Sequence, residues 1–93
     1  MEEQAKEVAK LLKLLSNQYR LLILCALEDG EKTVTEICEK TTGIGMSALS
    51  QHLSALRGYG IIDNCKRGQY VYYHIADERI HAVLRVLKEN YCK

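Results

Sequence analysis

Between Thr33 and Ile75 the hydrophobic rhythm of the chain changes twice, and the changes divide this stretch into two short helices and a tight hairpin. Thr33-Val34-Thr35-Glu36 has the form of a capping box, in which threonine and glutamate side chains satisfy each other's free backbone amides, and it predicts a helix from Val34 to Lys40. Gly43 and Gly45 punctuate a turn. Ala48, Leu49, Leu53 and Leu56 then recur at helical spacing, so a second helix over about 46–58 turns Ser47, Ser50, Gln51 and Ser54 outward. After Gly60 the period drops to two. Ile61 to Lys66 read as one strand, and Tyr70 to Ile75 as its β-branched and aromatic partner, with Arg67-Gly68-Gln69 at the tip of a wing over about 61–75.

The flanking segments are helical. From Gln4 to Leu15, Ala5, Val8, Ala9, Leu12 and Leu15 share one face, and Leu11 and Leu14 widen it beyond what one small core uses. Ser16 or Asn17 caps a second helix, apolar nearly all round from Tyr19 to Leu27, which Asp29-Gly30 ends. A last helix starts near Asp77 and carries Ile80, Val83, Leu84, Leu87 and Tyr91 on one stripe. The outer helices, about 3–16 and 77–92, therefore hold more apolar surface than local partners cover, which predicts a two-fold dimer through them. The fold class is mainly α with a β-hairpin, the layout of a winged helix-turn-helix, as one domain over 1–93.

That layout predicts a protein that holds DNA. Small hydroxyls and an amide on an exposed helix face allow close approach to a major groove, where long carboxylates would be repelled. The expected contacts are Ser47, Ser50, Gln51 and His52 in the groove, His52 having a packed role as its alternative, with Lys66 and Arg67 on the wing. A dimer would set its two recognition helices roughly 34 Å apart and favour an inverted-repeat operator in double-stranded DNA. The other reading of the hairpin is an ordinary solvated one.

Composition changes this picture little. The 93 residues carry 13 basic and 12 acidic groups, a net charge of +1, so charge distribution must carry the electrostatic argument. No carboxylate lies between Thr41 and Ile62, and Lys66 and Arg67 extend the positive side. The apolar run from Leu21 to Leu27 is too short for a membrane span, and nothing resembles a signal peptide, so a cytoplasmic protein is expected. His52, His74 and His81 are scattered without a local nucleophile or acid partner, which argues against an enzyme. No cofactor is implied. The four cysteines, at 25, 38, 65 and 92, have neither CxxC nor zinc-finger spacing. Cys25 lies in an apolar helix, Cys38 could fill the core of the helix pair, and Cys65 sits in the wing. At 100° per residue Cys92 shares a side with His81, Arg85 and Lys88, away from the apolar stripe.

Tyr19-Arg20-Leu21-Leu22-Ile23-Leu24, Leu49-Ser50-Gln51-His52-Leu53, Leu56-Arg57, Gly60-Ile61-Ile62 and Arg67-Gly68-Gln69-Tyr70-Val71-Tyr72-Tyr73 together resemble the ArsR/SmtB family of bacterial winged-helix repressors. The resemblance implies a dimer that releases operator DNA on sensing a metal, a metalloid or a reactive sulfur or oxygen species. Where zinc sensors of that family place their ligands this chain has Asp77, Arg79, Asn90 and Lys93, and where soft-metal sensors carry a Cys-Val-Cys motif it has Thr33-Val34-Thr35. Recognition helices of the family often begin Ser-Gln-Pro, against Gly45-Met46-Ser47 here, so no operator sequence carries over. Leu21-Leu22-Ile23-Leu24-Cys25, with Cys92 near the end of the last helix, resembles the sulfide-responsive branch typified by BigR and SqrR, and the resemblance implies that Cys25 and Cys92 are a redox-sensing pair. The alternative that stays open is a metal or metalloid sensor using cysteine thiolates, Cys38 first among them.

Overall fold

The computed structural model describes residues 1–92. In chain order the elements are α1 (Glu2–Leu15), α2 (Gln18–Glu28), β1 (Lys32–Thr33), α3 (Val34–Lys40), α4 (Met46–Gly58), β2 (Ile62–Arg67), β3 (Tyr70–Ile75) and α5 (Glu78–Tyr91). Lys93, the last position compared with the zinc motif, lies outside the described residues.

Local chemistry sets the boundaries. The Asn17 side chain accepts from the Tyr19 and Arg20 amides and so starts α2, settling the choice between Ser16 and Asn17. Both halves of the capping box at Thr33 and Glu36 are formed. Asp77 caps α5 by accepting from the Arg79 amide. At the end of α4, Ile61 N–H donates to the Leu56 carbonyl at 3.1 Å and Gly60 N–H to Arg57 at 2.9 Å. This double closure needs a left-handed residue, supplied by Gly60 at φ 75°, and it turns the chain from α4 into the wing.

The wing differs from expectation in two respects. Arg67 belongs to β2, opposite Tyr70, so the turn is only Gly68 and Gln69, with Gly68 at φ 64°. A third strand, β1, pairs antiparallel with β3 through Lys32 to Tyr73 and Thr33 to Tyr72, giving the order β1-β3-β2. Thr33 thus serves as ladder residue and helix cap at once.

The core lies among α2, α3, α4 and the base of the wing. Ile23, Leu24, Ile37, Leu49 and Leu56 are fully enclosed, and Ile62, Ile80 and Leu84 nearly so. The stripe on α5 is therefore divided: Ile80 and Leu84 belong to the chain's own core, whereas Tyr91 is 81% exposed. Likewise α2 is not buried all round, since Leu22 is exposed and Cys25 half-buried. Val8 and Leu12 on α1 and Val86 on α5, each more than half exposed, join Tyr91 as apolar surface left uncovered on the terminal helices. Among the described residues no helix is long and apolar enough to cross a membrane.

Candidate DNA interface and thiol pair

Ser47, Ser50, Gln51 and Ser54 stand exposed along one side of α4, while Leu49, Leu53 and Leu56 occupy the other. Because the buried residues lock the helix into the core, the polar side is presented as a fixed surface. His52 does not share it. Its half-buried ring lies tilted against Tyr19, centroids 6.2 Å apart, and its Nδ1 accepts from Arg20 Nε at 3.2 Å. Burial, and then the Arg20 charge, hold this imidazole below the ordinary histidine pKa.

On the wing Lys66 is exposed. Arg67 is exposed too, but its guanidinium is engaged: it pairs with Glu31 and lies over the Tyr72 ring, 4.0 Å from the centroid. Arg57, at the end of α4, pairs with Asp63 at 3.3 Å. Sequence reasoning missed the Arg67 pair because Glu31 precedes β1, and only the unforeseen third strand brings it to the wing.

The second constellation joins α2 to the end of α5. Cys25 and Cys92 open onto one cavity of about 270 Å³, walled by Leu21, Leu84, Leu87, Lys88 and Tyr91. Both thiols are free. Cys92 follows the last residue of α5 as its cap, with the chain already leaving the helical path at ψ 69°, so it shares walls with Leu84 and Leu87 as well as Lys88. Projection at 100° per residue had set it apart from that stripe.

Burial pushes the Cys25 thiol up from its ordinary range, the Lys88 ammonium pulls it down, and Glu28 and Cys92 add further upward pushes. Lys88 itself pairs with Glu28 at 3.3 Å, an ion pair that ties the last turn of α5 to the end of α2. The cavity is therefore an apolar recess with one cation at its edge and two thiols in its wall.

Of the remaining cysteines, Cys38 is half-buried against the core on α3 and Cys65 is exposed in β2. Neither lines the cavity. Among the described residues no three His, Cys, Asp or Glu side chains converge as metal ligands.

A helix pair followed by a β-hairpin, with a polar face on its second helix, defines a winged helix-turn-helix regulator. Residues 17–64 match the family described as bacterial regulatory protein, arsR family. The chain belongs to that family and is a transcriptional regulator, not an enzyme. It is 38% identical over 92 residues to the HTH-type transcriptional regulator YgaV of Escherichia coli, covering 99% of this chain and 93% of the relative. Among solved structures, HlyU from Vibrio cholerae superimposes with a TM-score of 0.92 at 36% identity over the whole of both chains. The transcriptional repressor BigR from Xylella fastidiosa gives 0.85 at 37% identity, covering 99% of this chain and 90% of that one. A homodimeric winged helix-turn-helix DNA-binding domain from Mycobacterium bovis gives 0.80 at 31% identity, covering 95% and 81%.

Proposed function

We propose that this chain is a homodimeric repressor whose affinity for operator DNA is switched by thiol chemistry of Cys25 and Cys92, with reactive sulfur species as the effector. The observation that carries the reading is the shared cavity: two free thiols, one on α2 and one just past the end of α5, line one apolar recess beside Lys88. Dimerisation would cover Val8, Leu12, Val86 and Tyr91, which one protomer leaves exposed. In the dimer α4 enters the major groove through Ser47, Ser50 and Gln51, and Lys66 and Arg67 meet the backbone from the wing. His52 supports α4 from behind instead of reading the groove.

The chemistry closes without an added oxidant when the effector is a persulfide, RSSH. The more exposed Cys92 thiolate attacks the outer sulfur, the S–S bond breaks, and the thiolate RS⁻ leaves. Cys25, once deprotonated, attacks Cys92 Sγ of the resulting perthiol, forming the Sγ–Sγ bond and expelling hydrosulfide. Two thiols are oxidised to a disulfide, the transferred sulfur is reduced to sulfide, and RSH and H₂S carry away the protons. The bridge ties α2, which packs on α4, to the end of α5. Displacement of α4 against the terminal helices then weakens DNA binding, and an allosteric coupling of about 1–3 kcal/mol corresponds to a 5–150-fold loss of affinity.

The test uses a duplex selected by the wild-type protein from a randomised library. Adding an organic persulfide should release wild type, while Cys25→Ser and Cys92→Ser should still bind DNA and no longer respond. Release retained in both serine variants contradicts the reading.

A further inference from the structure

Apart from Glu28, Arg20 is the charged residue of an otherwise neutral α2, and its side chain is committed on two sides. Its Nη1 donates to the Leu14 carbonyl at 3.1 Å, in the last turn of α1, and its Nε donates to His52 Nδ1 at 3.2 Å, in the middle of α4. Neighbouring Tyr19 places its ring against His52 and donates its hydroxyl to the Gly43 carbonyl at 3.4 Å, in the turn that leads into α4. The Asn17 side chain caps the amides of both residues, at 2.9 and 3.2 Å, and so fixes the helical turn that carries them. One turn of α2 thereby joins the end of α1 to two points along the α4 segment.

We propose that Arg20 is a positioning residue for DNA binding: by holding the Leu14 carbonyl and the His52 ring together, it sets the rotation of α4 relative to terminal helix α1. The proposal rests on the reading of α4 as the groove-facing helix. Rotation matters because Gln51 and Ser50 are sequence neighbours of His52 on the same rigid helix. A guanidinium suits the role, since its planar fork reaches two acceptors in fixed directions where an ammonium is a single point.

The same contact makes DNA binding sensitive to acid. Nδ1 accepts only while unprotonated; a proton there removes the acceptor and sets imidazolium against guanidinium. From α2 the groups facing His52 are Arg20 and Tyr19, and Arg20 in turn shares a cavity of about 480 Å³ with Lys10 and Lys13 of α1 and with Tyr59. No carboxylate is among these side chains. Burial and the Arg20 charge already depress the imidazole pKa, so taking up the proton works against the native arrangement. A histidine that touched phosphate would behave in the opposite sense, gaining charge and binding DNA more tightly as pH falls.

Operator binding is measured with the selected duplex at about pH 7.5 and about pH 5 and constant ionic strength, a range extended to the acid side because His52 titrates below the ordinary histidine value. The protein carries His74→Gln and His81→Gln, so that His52 is the last of its three histidines. Acidification should weaken binding about fivefold or more. His52→Asn, which keeps an acceptor near the Nδ1 position and cannot take up that proton, should remove the pH dependence. Arg20→Met should bind weakly already at the higher pH and respond little to acid; if it fails to fold by circular dichroism, Arg20→Lys should show the same pattern. Imidazole ¹⁵N shifts should report the tautomer with Nδ1 as acceptor in wild type. Binding that does not change in acid, tighter binding in acid that His52→Asn abolishes, or a folded Arg20 variant with unchanged affinity and pH profile, overturns the proposal. Gln51→Ala, run in parallel, separates the two readings: unchanged affinity and specificity there overturn the groove assignment itself.

Discussion

Cys25 on α2 and Cys92 at the end of α5 open into the same apolar cavity, with the Lys88 ammonium beside it. Lys88 counteracts the burial that pushes the Cys25 thiol up. Lys88→Met should therefore raise the Cys25 pKa further and slow its alkylation at neutral pH, since the thiolate is the reacting form. The rate of Cys25 labelling by iodoacetamide, followed against pH by mass spectrometry, checks this. The profile should move to higher pH, and an unmoved profile would show that Lys88 does not act on the thiol.

On the wing, Glu31 holds the Arg67 guanidinium that the proposed complex needs at a phosphate, so in that complex the two would compete for it. The pair is exposed on both sides, so it is screened and contributes little to stability. Its removal should still matter for binding, because the freed guanidinium becomes available to the DNA backbone. Glu31→Gln should tighten binding to selected and unrelated duplexes alike by a few fold and steepen the dependence of affinity on salt. A change confined to the selected sequence would place Arg67 at a base edge instead.

Asp77 ties the start of α5 to its own first turn. Its side chain accepts from the Arg79 amide at 3.0 Å and pairs with the Arg79 guanidinium at 2.7 Å. The Arg79 side chain chiefly, and its amide as well, hold the carboxyl below the usual aspartate pKa. A depressed carboxyl pKa contributes stability above the unfolded value of about 3.9 and loses it as pH falls through the folded value. Asp77→Asn should therefore unfold at lower urea than wild type near neutral pH, the difference shrinking towards about pH 3. Asparagine still caps helices well, so a large deficit that persists in acid would mean that the charge is not the cause.

The helices were legible because each carries its own evidence. Thr33 and Glu36 announce the start of α3, Asp77 that of α5, and the spacing of Leu49, Leu53 and Leu56 fixes which side of α4 faces the core. Strand β1 was not legible: two residues show no alternation, and Thr33 advertises a cap more strongly than a ladder position. Missing β1 also concealed the approach of Glu31 to Arg67. The wing turn came out one residue too long because Arg67 beside a glycine reads as turn, whereas its pairing with Tyr70 depends on the partner strand. The link from Arg20 to His52 depends on how α2 crosses α4, and no local pattern encodes that crossing. The one trace in the sequence was an arginine placed directly before the apolar run from Leu21 to Leu27. The juxtaposition of Cys25 and Cys92 entered through family resemblance alone, since helical projection had set Cys92 on the wrong side.

The central claim, that Cys25 and Cys92 act as one switch, is tested most directly by peptide mass spectrometry of the reduced protein after treatment with an organic persulfide, with operator release followed in the same samples. A Cys25 to Cys92 link, as a disulfide or with further sulfur atoms inserted, should accumulate in step with loss of DNA binding. Release of DNA without any such link, or arsenite protecting Cys38 while Cys25 and Cys92 stay free, would contradict the account.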